Sequence, residues 1–395
     1  MPSFKNDLSR CLFHIPVFVP GLMLMLSCIQ AFGYEQSNTF RPYTIPVIDI
    51  TSEIKRHVVV AQGTKTDYRG QVNTVLMNDG KTMFAVWTVG HGGQCGPMKK
   101  SIDGGLTWSN MLATPKNWQT VGSCPCIFRL KDTSGVERMF VFAGRPDLYQ
   151  SMSLDEGKTW TPMKPTGMYK PGGNTTIVPI QGGRKHLMHV QYGTHPKRRI
   201  PDPSLTIWQA ISSNGGLTWE DYRKVCEVPN ADPCEPFLIR SPNGQQLLCL
   251  MRENSRKLNS LMMTSNDEGK TWSKAKEMTG SLTGDRHMAR YAHDGRLVIA
   301  FRDMAKGSQT MGSYVAWIGT YDDIIQGREG QFRVKLLHQY GKSHWDCGYS
   351  GLECLPDGTM VATTYVKYRP GPEKNSIVSV RFKLEEIDEK AKQIQ

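Results

Sequence analysis

The chain has 395 residues, 39% of them hydrophobic, enough to bury a large core. Its 48 Lys and Arg against 36 Asp and Glu leave a formal charge of +12, which favours an anionic partner. No Lys/Arg-rich run, zinc-finger spacing or RNA-binding signature accompanies that charge, so nucleic acid is excluded and an acidic glycan is preferred.

Residues 1–33 differ in kind from the rest. Lys5 and Arg10 precede the apolar stretch Cys11 to Ile29, which exits through Ala31-Phe32-Gly33 into a polar continuation. That order predicts an export signal peptide or, as the alternative, an uncleaved N-terminal anchor. The protein is then secreted, periplasmic or on the cell surface, with membrane contact only through that anchor or a lipid. Eight of the ten cysteines lie beyond the leader, and export predicts that some of them pair as disulfides. Cys124-Pro-Cys126 is too short for a zinc knuckle and no second pair stands at ligand spacing, so neither metal nor cofactor is expected.

Residues 34–395 read as one domain built from a repeated unit. His57–Ala61 is an isolated strand, suited to closing a ring with the last unit. Six alternating hairpins then follow, starting at Val72, Cys124, Asn174, Glu235, His287 and Tyr349. Several turn on Asn-Asp-Gly, His-Asp-Gly or Pro-Asp-Gly, which are strong hairpin signals. Four hairpins are followed by a box of the form Ser-x-Asp-x-Gly-x-Thr-Trp, at Ser101–Trp108, Ser153–Trp160, Ser212–Trp219 and Ser265–Trp272, with Asn214 in place of Asp in the third. The fifth unit keeps a remnant around Thr320–Asp323, and helical periodicity appears only in the tail from Leu384. Six units of this period predict an all-β fold, a six-bladed β-propeller of four-stranded antiparallel blades. Radial closure removes the exposed edges that open stacking would leave.

In a propeller the start of each first strand and the end of each second strand open on one face. That frame gathers Arg69, Glu235 and Tyr349 from strand starts, and His91, Arg145, Arg252 and Arg302 from strand ends. Arg286 and His287 belong to the charged cluster Asp285-Arg286-His287 at the fifth inner strand. Convergent guanidinium forks suit a carboxylate or sulfate, because they pair planar oxyanions.

These boxes and blades resemble the sialidase (neuraminidase) superfamily over residues 60–385. Tyr68-Arg69-Gly70-Gln71 is similar to the segment that opens the family's arginine triad, with Gly-Gln replacing Ile-Pro. Glu235 followed one hairpin later by Arg252 resembles its Glu and second Arg, and Arg302 is the candidate third. Tyr349-Ser350-Gly351-Leu352 running into Leu355-Pro356-Asp357-Gly358 resembles the segment of the tyrosine nucleophile. The resemblance implies Tyr349 as nucleophile, Glu235 as its base, and Arg69, Arg252 and Arg302 as a carboxylate clamp. The family's acid/base Asp has no counterpart between Arg69 and Ser101, where only Asp79 occurs, in a turn; His91 stands there instead. Three readings remain open: an exported sialidase-type glycosidase, a hydrolase or lyase on another anionic sugar such as a uronate with His91 or His287 as acid or base, and a non-catalytic carbohydrate-binding propeller.

Overall fold

The computed structural model describes residues 42–144, 147–168, 171–193, 205–343 and 345–394. Six sheets, antiparallel but for one added edge strand, follow one another around a common axis. Their innermost strands are Asn73–Leu76, Cys126–Lys131, Pro171–Ile180, Pro233–Arg240, Gly284–Tyr291 and Ser350–Cys354, in blades one to six. Blades two, three and four have four strands each, as the repeat predicts. Blade one stops at three, because the chain after its box runs into the short helix Lys116–Thr120 instead of a fourth strand.

The ring is closed as expected. His57–Ala61 pairs antiparallel with Ser376–Phe382 and becomes the outermost strand of blade six. A second N-terminal strand, Val47–Asp49, pairs parallel to Phe332–Leu337 and gives blade five a fifth strand that the repeat pattern does not reveal. Two consecutive N-terminal strands thus complete two adjacent blades.

Each box is a tight hairpin locked by its own side chains. In the first, Asp103 Oδ1 accepts from the Thr107 amide at 2.9 Å and from Ser101 Oγ at 2.7 Å, and Ser101 Oγ accepts from the Gly105 amide at 2.8 Å. Asn214 keeps this pattern, accepting from the Thr218 amide at 3.0 Å and donating to Thr218 Oγ1 at 2.7 Å. The boxes also join blades. Trp219 and Trp272 donate to Gln150 and Gln209 of the preceding blades, at 3.2 and 2.9 Å. Gly216 lies so close to blade two that a Cβ there would stand 2.5 Å from Leu130, and its φ of +91° is one that glycine tolerates. In the fifth unit the box remnant is a helix, Tyr321–Gln326, capped reciprocally by Thr320 and Asp323. The tail forms the helix Leu384–Lys392, which buries Leu384, Ile387 and Ala391.

None of the eight described cysteines forms a disulfide, which corrects the expectation from export. The topology separates neighbours in sequence: Cys226 ends the outermost strand of blade three while Cys234 lies in the innermost strand of blade four. Among the described residues no helix is long and apolar enough to cross a membrane, and the leader lies outside them.

Candidate functional site

The inner strands of blades four and five carry the feature that builds the site. In each, one extra residue interrupts the register, between Cys234 and Phe237 and between Asp285 and Met288. The bulges put Glu235 at φ +49° and Arg286 at φ +56°, conformations that non-glycine residues hold only when the surroundings impose them. They turn side chains that would lie between blades toward the axis.

A cavity of about 630 Å³ opens at this face, walled by His91, Glu235, Arg252, Arg302, Asp346 and Tyr349 among others. Glu235, 2% exposed, is its centre. Glu235 Oε1 accepts a very short hydrogen bond from the Tyr349 hydroxyl and another from Arg252 Nη1 at 2.7 Å. Burial, then the adjacent Glu235 charge, pushes the Tyr349 phenol well above its ordinary pKa. The phenol is therefore held in its protonated form.

Behind this pair lies a buried cationic cluster around Asp285, which is 0% exposed. Arg252 Nε lies 3.1 Å from Asp285 Oδ1, Arg302 Nε donates to Oδ2 at 3.0 Å, and Arg256 binds both oxygens at 2.6 and 2.8 Å. Burial alone would raise the Asp285 pKa; Arg252, Arg302 and Arg256 outweigh it and hold the carboxyl well below the usual range. Arg252 Nη2 also donates to Asn254 at 2.6 Å, and Arg302 Nη1 to the carbonyl of Cys347 at 2.8 Å and that of Trp345. Gly348 makes the Arg302 position accessible, since a Cβ there would stand 2.4 Å from Arg302 Cβ.

Across the cavity His91 Nδ1 meets Asp346 Oδ1 at 2.9 Å, and the same oxygen accepts from the Tyr68 hydroxyl at 2.8 Å. Burial raises the Asp346 pKa and the bonds from His91 and Tyr68 lower it further, so it lies below its ordinary value. The His91 side chain is 58% exposed, at the mouth. Asp346 was not legible as a site residue: it stands three positions before Tyr349 in a stretch without repeat equivalents, and only the closed ring brings it opposite the first blade.

Three expected residues are placed elsewhere. Arg69 does not wall the cavity; its side chain faces Gln62 O at 3.4 Å and Asp67 at 3.7 Å. Gln71 accounts for this, because its Oε1 accepts from Thr88 Oγ1 at 3.0 Å and the Gly92 amide at 2.7 Å, filling the wall of blade one. His287 is fully buried, bonded through Nε2 to Leu282 O at 2.8 Å and packed on Phe301, and burial lowers its pKa. Arg286 lies beneath the cavity, 3% exposed, and lines a second cavity at the other end of the axis. Arg145 falls outside the described residues.

No family model matches the chain, and no curated protein matches it in sequence. Solved structures do match. A protein of unknown function from Dyadobacter fermentans superposes with a TM-score of 0.63 at 16% identity, over 82% of this chain and 97% of that one. The NanB sialidase of Streptococcus pneumoniae gives 0.56 at 11%, over 84% and 71%. The intramolecular trans-sialidase of Ruminococcus gnavus gives 0.54 at 13%, over 83% and 97%. The chain therefore has the six-bladed propeller fold of the sialidases. At these identities the likeness is one of fold.

Proposed function

We propose that the protein is a retaining glycoside hydrolase that releases a terminal carboxylate-bearing sugar. One observation carries this reading: a single oxygen, Glu235 Oε1, accepts from both the Tyr349 hydroxyl and Arg252. A nucleophile, its base and a cation are thereby held within one hydrogen bond of each other. Tyr349 attacks the anomeric carbon while its proton passes to Glu235, and the bond to the leaving oxygen breaks. His91, oriented through Nδ1 by Asp346, supplies the proton to that oxygen and later takes one from the attacking water. A neutral phenol approaches a carbon beside a carboxylate with less repulsion than a second carboxylate would. Four arginines (Arg252, Arg256, Arg286, Arg302) against three carboxylates (Glu235, Asp285, Asp346) leave one positive charge in surplus, to which His91 adds when it carries the proton it donates, and this favours an anionic sugar.

A second reading, a uronate-directed enzyme, is favoured by the turning away of Arg69, which leaves two arginines where a three-membered clamp was expected. We further propose export, on the basic and apolar order of residues 1–33; N-terminal sequencing of the mature protein tests it. The activity test offers purified protein a fluorogenic sialoside and a panel of uronate-capped oligosaccharides. Sialic acid release that disappears in Tyr349→Phe supports the first reading. Turnover confined to uronates and lost in His91→Ala selects the second. Binding without turnover on either series overturns both.

A further inference from the structure

Arg286 has no carboxylate within ion-pair distance among the described residues, although it is 3% exposed. Its Nη1 has no hydrogen-bond partner, and its Nη2 donates to Cys126 Sγ at 3.0 Å. Burying an unpaired guanidinium is costly, and the left-handed backbone at Arg286 adds strain. The next residues of the same cluster show the alternative: Asp285 is surrounded by three arginines, none of them Arg286. The guanidinium instead lies under the ring of Tyr349, 6.0 Å from its centroid. Glu235 Oε2, likewise buried, also lacks a partner. The groups facing Arg286 are Cys124 and Cys126 from blade two, Glu235 from blade four and Tyr349 at the start of blade six.

We propose that Arg286 is a positioning residue for the nucleophile: an uncommitted cation beneath the sugar site that stabilises the phenolate of Tyr349. This rests on the glycosidase reading and extends it to a residue that touches no substrate. When the Tyr349 proton moves to Glu235, the negative charge moves from the carboxylate to the phenol oxygen. Arg252 is bonded to Glu235 and favours charge there. Arg286 faces both groups, but it is bonded to no carboxylate and lies under the Tyr349 ring, so it favours charge on the phenolate, both as nucleophile and as leaving group when water cleaves the glycosyl-tyrosine. A guanidinium already neutralised by a carboxylate would do little of this, which gives the missing partner a function.

The test replaces Tyr349 with a fluorinated tyrosine whose phenol ionises in an accessible pH range, and follows phenolate absorbance. Glu235, Arg252, Cys124 and Tyr365 also face this phenol and remain in every variant. Arg286→Met and Arg286→Gln should each raise the midpoint by about one pH unit or more, and Arg286→Lys should restore most of it. In the unmodified enzyme Arg286→Met should lower kcat about tenfold or more with KM unchanged. Both neutral variants should unfold at the same temperature as the parent or higher, since a buried unpaired charge is removed. Coincident midpoints in parent and neutral variants overturn the proposal, and so does a large loss of stability in both, which would make Arg286 a structural plug. Absence of turnover on every sugar would sink the glycosidase reading while the titration still decides this one.

Discussion

Arg252 and Arg302 reach the same carboxylate from opposite sides, Arg252 at Asp285 Oδ1 and Arg302 at Asp285 Oδ2. The buried Asp285 therefore sets the spacing of the two cations that wall the cavity. Asp285→Asn should leave three guanidinium groups crowded without their counter-charge, at a cost of about 3–5 kcal/mol. Urea unfolding of the purified variant measures this; an unchanged midpoint would show that the cluster does not depend on Asp285.

The His91–Asp346 pair makes a separable prediction about the leaving group. His91→Ala should slow cleavage of natural glycosides by about 10²–10⁴-fold while barely affecting aryl glycosides whose phenols leave unaided. Asp346→Asn should act in the same direction and more weakly, since it misorients His91 without removing it. A loss equal for both kinds of leaving group would assign His91 to binding.

Stability should fall on the acid side because of buried imidazoles. His189 is enclosed against Trp272, and burial pushes its pKa down to about 3 from 6.5. The unfolded chain thus binds a proton between about pH 6.5 and 3 that the folded chain refuses, so stability rises with pH through that window and falls as pH drops. His189→Gln should flatten the dependence by about 1.4 kcal/mol per pH unit there. Urea midpoints measured from neutral to mildly acidic pH give the slope.

Gly216 tests the boxes as joints between blades. Gly216→Ala combines a φ of +91° with a clash on Leu130, and should destabilise by more than about 1 kcal/mol. Substitution at the exposed Leu217 beside it should be nearly neutral, by thermal unfolding.

The fold was legible because the Ser-x-Asp boxes and Asp-Gly turns encode local geometry with local residues. The same locality limits the rest. Val47–Asp49 joins blade five by parallel pairing across nearly the whole chain, which no neighbouring residue announces. In the site, the repeat frame placed Tyr349, Glu235 and Arg252 on one face, and the sialidase resemblance singled them out there. Arg69 stands off the cavity because Gln71 takes the wall, and the bulge in blade five places Arg286 beneath the cavity and its neighbour His287 in the interior. Asp346 was missed because its partner His91 lies at the far end of the sequence.

The central claim is that Tyr349 becomes covalently attached to the sugar. Brief exposure to activated fluorosugars, a sialosyl fluoride and its uronosyl counterpart, followed by peptide mass spectrometry, tests it directly. The account expects one adduct, on the peptide containing Tyr349, that disappears in Tyr349→Phe. An adduct on another residue, or steady turnover with no adduct on Tyr349, would contradict it.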